Sequence, residues 1–207
     1  MKTTSVAAEA KPYHHGDLRR ALLESADAIL EREGPNALSL RAVAREAGVS
    51  PAAPYHHFKD KSELLNAVAL EGFDRLKTAL VEAFGAAHGA GVRSALGVAY
   101  VEFSQHNPAL YRVMWDCARN GEKLPEDVHD KHSAFDLVKE TLREAAGGQI
   151  SDLDLELTAI AAWCAAHGLA EISTFAQFKP LKEELGGERA FLQAVLDHLG
   201  GAARRPT

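Results

Sequence analysis

From Leu18 to Leu199 the apolar residues of this 207-residue chain recur at intervals of three and four. That period belongs to amphipathic helices, and the period-two alternation of strands is nearly absent. In "GDLRRALLESADAILEREG", Leu18, Leu22, Ala26, Ile29 and Leu30 share one helical face, and Gly34 and Pro35 stop the run. "LSLRAVAREAG" reads as a short helix with Ser39 as its N-cap, Val43 and Ala47 facing inward, and Gly48 at its end. "SPAAPYHHF" begins another, with Ser50 as cap and Pro51 at the first helical position, where its missing N–H costs nothing. "DKSELL" opens a long helix, with Asp60 as N-cap and Glu63 three positions on, a capping box. That helix continues through Phe73, Leu76, Leu80 and Phe84 to the break at "GAAHGAG".

Five further helical segments follow at about 92–105, 108–119, 126–146, 151–175 and 187–200, and "FKPLKEELGG" reads as a looser connection before the last. The fold class expected is all-α with about nine helices: a three-helix N-terminal domain over residues 16–62, then a helical domain over residues 63–202. An N-terminal arm (1–15) and a short tail (203–207) flank them.

Hydrophobic residues make up 46% of the chain, enough for a sizeable core. Runs such as "ALGVAY" and "LTAIAAWCAA" are interrupted before the roughly 18–20 residues of a membrane span. The first residues lack the apolar stretch of a secretory signal, and Cys117 and Cys164 are too few for a disulfide scaffold. A cytoplasmic protein without a membrane partner is the expectation. The net charge of −6 is unevenly spread. Residues 1–61 carry nine Lys or Arg against eight Asp or Glu, so the acid lies in the remainder. Salt screens charges beyond about 8–10 Å, so an acidic body does not exclude a local nucleic-acid-binding face.

Two short helices joined by a tight turn behind a longer one make a helix-turn-helix candidate, whose second member places its N-terminal residues in the major groove. Ala52 and Ala53 keep that end slim, and Pro51 and the alanines can make only apolar contacts to bases. Tyr55, His56 and His57 offer donors at phosphate height, and Lys61 adds a charge. An ordinary helix pair would account for Val43, Ala44, Val49 and Phe58 as core, but not for Tyr-His-His after two prolines.

The run from Tyr13 to Ala69, with "LSLRAVAREAGVS" followed by "YHHFKDKSELL", resembles the N-terminal domain of TetR/AcrR-family transcriptional regulators. The resemblance implies a homodimeric, DNA-binding regulator, most often a repressor, that reads a near-palindromic double-stranded operator. Its C-terminal body would bind a small-molecule effector. It also implies that Ser39 and Arg41 contact phosphate and base, with Ser50, Pro51, Ala52 and Ala53 at the base-facing start of the recognition helix. Tyr55 and His57 correspond to the backbone-contacting pair and Lys61 to a phosphate-binding lysine. His56 stands at a variable position where many similar proteins carry Arg.

In the body, Tyr100, Phe103, Tyr111, Met114 and Trp115 cluster in sequence, and Phe135, Trp163 and His167 can join them as a ligand pocket. Taken singly, each is more often plain core. Trp163, His167 and Gly168 resemble the W-x-x-x-H-G signature of a TetR C-terminal subfamily. Ala159, Ala162 and Ala166 form a small-residue line; with Phe191 and Val195 they are expected at a dimer interface built from 151–175 and 187–200. The other reading packs the alanines within the subunit and puts Trp163 in the pocket.

His129 and His132 sit three apart near Asp127 and Asp130, spacing that can present two metal ligands, and a metal-sensing or purely interacting helical protein is the alternative function. Solvated histidines on an acidic helix are the ordinary reading, so no metal and no cofactor is expected. No Gly-rich phosphate loop, nucleophile elbow or H-E-x-x-H occurs, and an enzyme is not expected.

Overall fold

The computed structural model describes residues 15–87, 91–119 and 133–202. Among the described residues it is all-helical, and its contacts divide it into two compact units, Met1–Ala67 and Val68–Thr207. The boundary falls inside one helix.

In the first unit α1 (His15–Glu33) packs against α2 (Leu40–Glu46), and α2 against a 3-10 turn at Ala53–His56. Leu22, Ala26, Ile29 and Leu30 of α1 meet Val43 and Ala44 of α2, Leu38 and Phe58 in a core where each is at most 2% exposed. Arg32 bridges the far ends of the two helices, donating to both carboxylate oxygens of Glu46 (3.2 and 2.9 Å) and to Glu33. Those bonds hold the Glu46 carboxyl below its usual range and raise Arg32.

Ser39 caps α2 as its sequence suggests: its Oγ accepts from the Ala42 N–H at 3.1 Å. The C-terminus closes in a Schellman arrangement. Gly48 takes φ +67°, a left-handed conformation that suits glycine, and donates to the Arg45 carbonyl, while Val49 donates to that of Ala44.

The expected third helix is where structure and sequence reading part. Residues 51–57 form no α-helix. Ala53 donates to the Ser50 carbonyl, Tyr55 to that of Ala52, and His57 to that of Pro54, all three-residue closures. Pro54 has no N–H to give Ser50, and its ring crowds that carbonyl, so the chain tightens to 3-10 geometry. Ser50 correspondingly makes no side-chain cap; Ala52 stands at that position. Pro54 itself is buried and anchors the turn.

α3 spans Lys61–Ala86, with the Asp60 carboxylate accepting from the Glu63 N–H at 3.0 Å. The reciprocal bond reaches one residue further back than the capping box requires, to the Lys59 N–H. The second unit continues with α4 (Val92–His106), α5 (Pro108–Arg119), α6 (Ala134–Ala145), α7 (Asp152–Ile172), α8 (Lys179–Leu185) and α9 (Glu188–Ala202). α4 packs on α7 and α9, and α6 on α7. α6 starts behind a complete Ser133–Asp136 capping box, and the earlier part of the 126–146 segment lies outside the described residues. α8 occupies the connection read as irregular, opening with Pro180 in its first turn and ending at Gly186.

α7 is apolar all round. Leu155, Ala159, Ala166, Leu169 and Ala170 face inward, while Leu153 (69% exposed), Leu157 (56%) and Ile160 (46%) face out. No helix among the described residues is long and apolar enough to cross a membrane.

Candidate functional site

In the first unit the side chains singled out from sequence cluster on α2 and the turn that packs on it. Arg41 is exposed in the first turn of α2, two residues past the Ser39 cap. Ser50, Pro51, Ala52, Tyr55 and His56 are exposed, Tyr55 by 54%. Ala53 and His57 are half-buried, the His57 ring tilted against the Phe58 ring at 6.4 Å, and Lys61 is exposed at the first position of α3. Phe58 also carries the Arg19 guanidinium over its face at 5.6 Å, which holds a cation beside the turn. The arrangement presents a narrow apolar tip flanked by hydroxyl, imidazole and cationic donors, without a carboxylate between Pro51 and Lys59. Such a surface can enter a groove at the tip and hold phosphates on either side.

The second unit holds an aromatic cluster on the seam of α4, α5 and α7. Tyr100 meets Trp163 (5.3 Å between ring centroids) and Tyr111 (6.1 Å), Trp115 meets His167 (4.8 Å), and Phe135 meets Trp163 (5.6 Å), nearly all edge-to-face. Inside it three polar atoms form a triangle. Tyr111 Oη lies 2.6 Å and Tyr100 Oη 3.0 Å from His167 Nδ1, and the two hydroxyls are 3.2 Å apart. An imidazole nitrogen serves one partner in its plane, so the shorter contact takes it: Tyr111 bonds to Nδ1, and Tyr100 bonds to the Tyr111 hydroxyl. Burial pushes the Tyr111 hydroxyl up to about 12 and raises Tyr100 further, with the Tyr111 bond adding to the latter. Trp115 Nε1 is buried and makes no hydrogen bond of acceptable geometry, although its N–H lies close enough to both tyrosine oxygens to favour their ionised forms slightly.

Two hollows flank this cluster. A cavity of about 330 Å³ lies among α3, α4, α6, α7 and α9 and is overwhelmingly apolar, with Tyr100 and Trp163 on its wall. A wider, more polar cleft of about 830 Å³ on the other flank of α7 is lined by Tyr111, Trp115 and His167 together with Arg112, Lys182 and Glu188. Tyr100 therefore divides them, its ring in the first and its hydroxyl bonded to the wall of the second.

Residues 22–68 match the family model of bacterial regulatory proteins, tetR family, and residues 94–199 match that of the tetracyclin repressor-like C-terminal domain. The chain belongs to the TetR family. Its members are DNA-binding transcriptional regulators and not enzymes. Relatives of this TetR-family chain include the HTH-type transcriptional regulator UidR of Escherichia coli K12, 25% identical, with 88% of this chain and 91% of UidR aligned. Among solved structures, a protein of unknown function from Rhodococcus sp. RHA1 is 36% identical with a TM-score of 0.73, covering 91% of this chain and 96% of that one. A TetR family transcription regulator from Marinobacter aquaeolei VT8, 19% identical with a TM-score of 0.64 over 87% and 94% of the two chains, shares the fold.

Of the eight residues expected at the ligand pocket of this TetR-family regulator, six gather in the aromatic cluster and two do not. Phe103 and Met114 are buried and line neither hollow; Met114 packs on Gly72 of α3. The interface expectation meets burial at three of its five residues. Ala159, Ala166 and Phe191 are at most 6% exposed within the single subunit, so they have almost no free surface to give a partner. Ala162 faces the 330 Å³ cavity, and Val195 is half-buried. Ala159 and Ala166 of the α7 small-residue line thus serve the inside of the subunit, whereas Ala162 is exposed at the mouth of the hollow. Sequence reasoning passed over Arg93, Gly97, Thr141 and Leu196, which border that cavity. Gly97 carried a readable signal, since a glycine inside an apolar helix is disfavoured unless something needs the space. His129 and His132 lie outside the described residues, and among the described residues no three His, Cys, Asp or Glu group as metal ligands.

Proposed function

We propose that this TetR-family protein is a homodimeric repressor that holds a near-palindromic operator and releases it when a small molecule fills the cavity beside Tyr100 and Trp163. Residues 16–62 would read DNA and residues 63–202 would bind effector and partner. The observation that carries the reading is the exposed, carboxylate-free surface from Ser50 to Lys59, fixed on a capped α2 by buried Pro54 and Phe58. Arg41, Tyr55, His57 and Lys61 hold the phosphates, and Pro51, Ala52 and Ala53 approach the bases. His56 is exposed beside them and meets phosphate as a donor.

The outward face of α7 supports the dimer. Leu153, Leu157 and Ile160 leave an apolar stripe in water, and a two-fold interface pairs such a stripe with itself. Trp163 and His167 in the same cluster support placing the chain in the W-x-x-x-H-G subfamily. Release requires the effector to bind the DNA-incompetent state more tightly than the competent one.

Selection of bound fragments from a random duplex pool tests the reading. Enrichment of a two-fold symmetric sequence, bound by two protomers with a steep salt dependence, is expected. Tyr55→Ala and Lys61→Ala should each weaken binding to the enriched duplex at least tenfold while leaving the helical signal unchanged. Retention of DNA by both variants at wild-type strength refutes the assignment of the surface.

A further inference from the structure

We infer that the effector accepted by the 330 Å³ cavity is an amphipathic monocarboxylate, its apolar body among Leu96, Leu142, Ala162 and Leu196 and its head at Arg93. The inference rests on the reading of this cavity as the effector site and concerns the chemistry of what enters it.

The wall is mostly carbon, and Arg93 is the one charged side chain among the described residues that line it. Among the described residues no carboxylate lines the hollow. Among the described residues the Arg93 guanidinium has neither a hydrogen bond nor an ion pair, unlike Arg32, Arg119, Arg143 and Arg189, which all hold carboxylates. A half-buried cation beside an apolar space, with no counter-charge among the described residues, favours an anion that arrives with the ligand.

Three of the other polar side chains on the wall already have their protons engaged. Ser94 donates its hydroxyl to the Gly91 carbonyl at 3.1 Å, Thr141 to that of Leu137 at 2.8 Å, and the Tyr100 hydroxyl is held in the triangle with Tyr111 and His167. With those protons engaged, Arg93 remains as a fork of several donors, which matches the two oxygens of a carboxylate. Arg93 also sits in the first turn of α4, where a cation opposes the positive end of the helix dipole, and an anionic head relieves that conflict. An ammonium head would meet the like charge of Arg93. At interior packing density the cavity holds an organic molecule of roughly ten to fifteen non-hydrogen atoms.

The test uses three probes of one body and different heads, decanoate, decan-1-ol and decylamine, titrated calorimetrically into the full chain. Decanoate should bind saturably at one site per protomer, at least tenfold tighter than the alcohol, with the amine weaker still. Arg93→Gln should weaken decanoate about tenfold and leave the alcohol within twofold, whereas Arg93→Lys should recover part of the loss. Ala162→Trp, which fills the hollow, should abolish both. Equal affinity for acid and alcohol, or decanoate binding indifferent to Arg93→Gln, overturns the head-group assignment and leaves the cavity standing. Failure of all three probes to bind, or decanoate binding that survives Ala162→Trp, overturns the cavity as the site and the inference with it.

Discussion

Gly72 in α3 and Gly97 in α4 form a matched pair whose alanine substitutions should differ in cost. Each sits inside a helix, where alanine is favoured over glycine by about 1 kcal/mol. Each also lies against a neighbour. A Cβ on Gly97 would stand 2.8 and 3.0 Å from the two methyls of Leu196, and one on Gly72 would stand 2.6 and 2.7 Å from Sδ and Cγ of Met114 and 3.1 Å from a methyl of Leu110. The surroundings decide the outcome. Leu196 is half-buried and borders the 330 Å³ cavity, so its methyls can swing into open space at a cost of about 0.5–1.5 kcal/mol for a displaced rotamer. Gly97→Ala should therefore change stability by no more than about 0.5 kcal/mol while narrowing the cavity and weakening its ligand. Met114 is 0% exposed and borders neither hollow. Overpacking there costs about 1–3 kcal/mol, which leaves Gly72→Ala destabilised by about 1 kcal/mol, and at most about 2, after the helical gain. Urea midpoints followed by circular dichroism, with unchanged slope, measure both. In a Met114→Ala background the two shortest contacts are gone and only the Leu110 methyl at 3.1 Å remains, so adding Gly72→Ala should become neutral or stabilising by up to about 1 kcal/mol. Equal shifts for the two glycines, or the same loss at Gly72 whether or not Met114 is present, would refute the argument.

Gly48→Ala meets no atom within 4 Å, but the φ of +67° disfavours any side chain with a Cβ, so a loss of about 1–2 kcal/mol should appear in the same assay. Ser39→Ala removes the bond to the Ala42 N–H and should cost about 1 kcal/mol; Ser39→Asp, which restores an acceptor, should recover most of it. For the buried tyrosines the folded state holds the proton more tightly than the unfolded chain, so the stability they add is complete below about pH 10 and is lost as pH rises through the folded values. Ultraviolet titration should show Tyr111 ionising near pH 12, with Tyr100 later still, and Tyr111→Phe should reduce the alkaline loss of stability. Titration of both near pH 10 in the folded protein would contradict the buried triangle.

Much of the first unit was legible because its signals are local. The Ser39 cap, the Gly48 stop and the Asp60 start each depend on residues within four positions, and each forms in the structure. The recognition element was misjudged for a local reason as well: one proline at a helix start is benign, but a second at Pro54 removes the next donor and forces the tighter turn. In the second unit the sequence placed the aromatic residues correctly in one neighbourhood, because Tyr100, Tyr111, Trp115, Trp163 and His167 are too large to be scattered cheaply. It could not tell which side of α7 faces inward. That helix is apolar on every side, so periodicity carries no direction, and only the tertiary contacts of Ala159 and Ala166 decide it. A pocket was expected at Tyr100 and Trp163, but much of its lining was passed over for the related reason that a void is defined by what is small, and Gly97 shows its role only beside Leu196.

The proline-locked turn has a thermodynamic consequence for any duplex it meets. Pro51 and Pro54 fix two backbone angles before contact, and the buried Pro54 ring and Phe58 tether the middle and the far end of the turn. Docking would then order side chains and release counterions without folding a segment. Its heat-capacity change should scale with the area covered alone, free of the added contribution that accompanies a reading head that condenses only on its target.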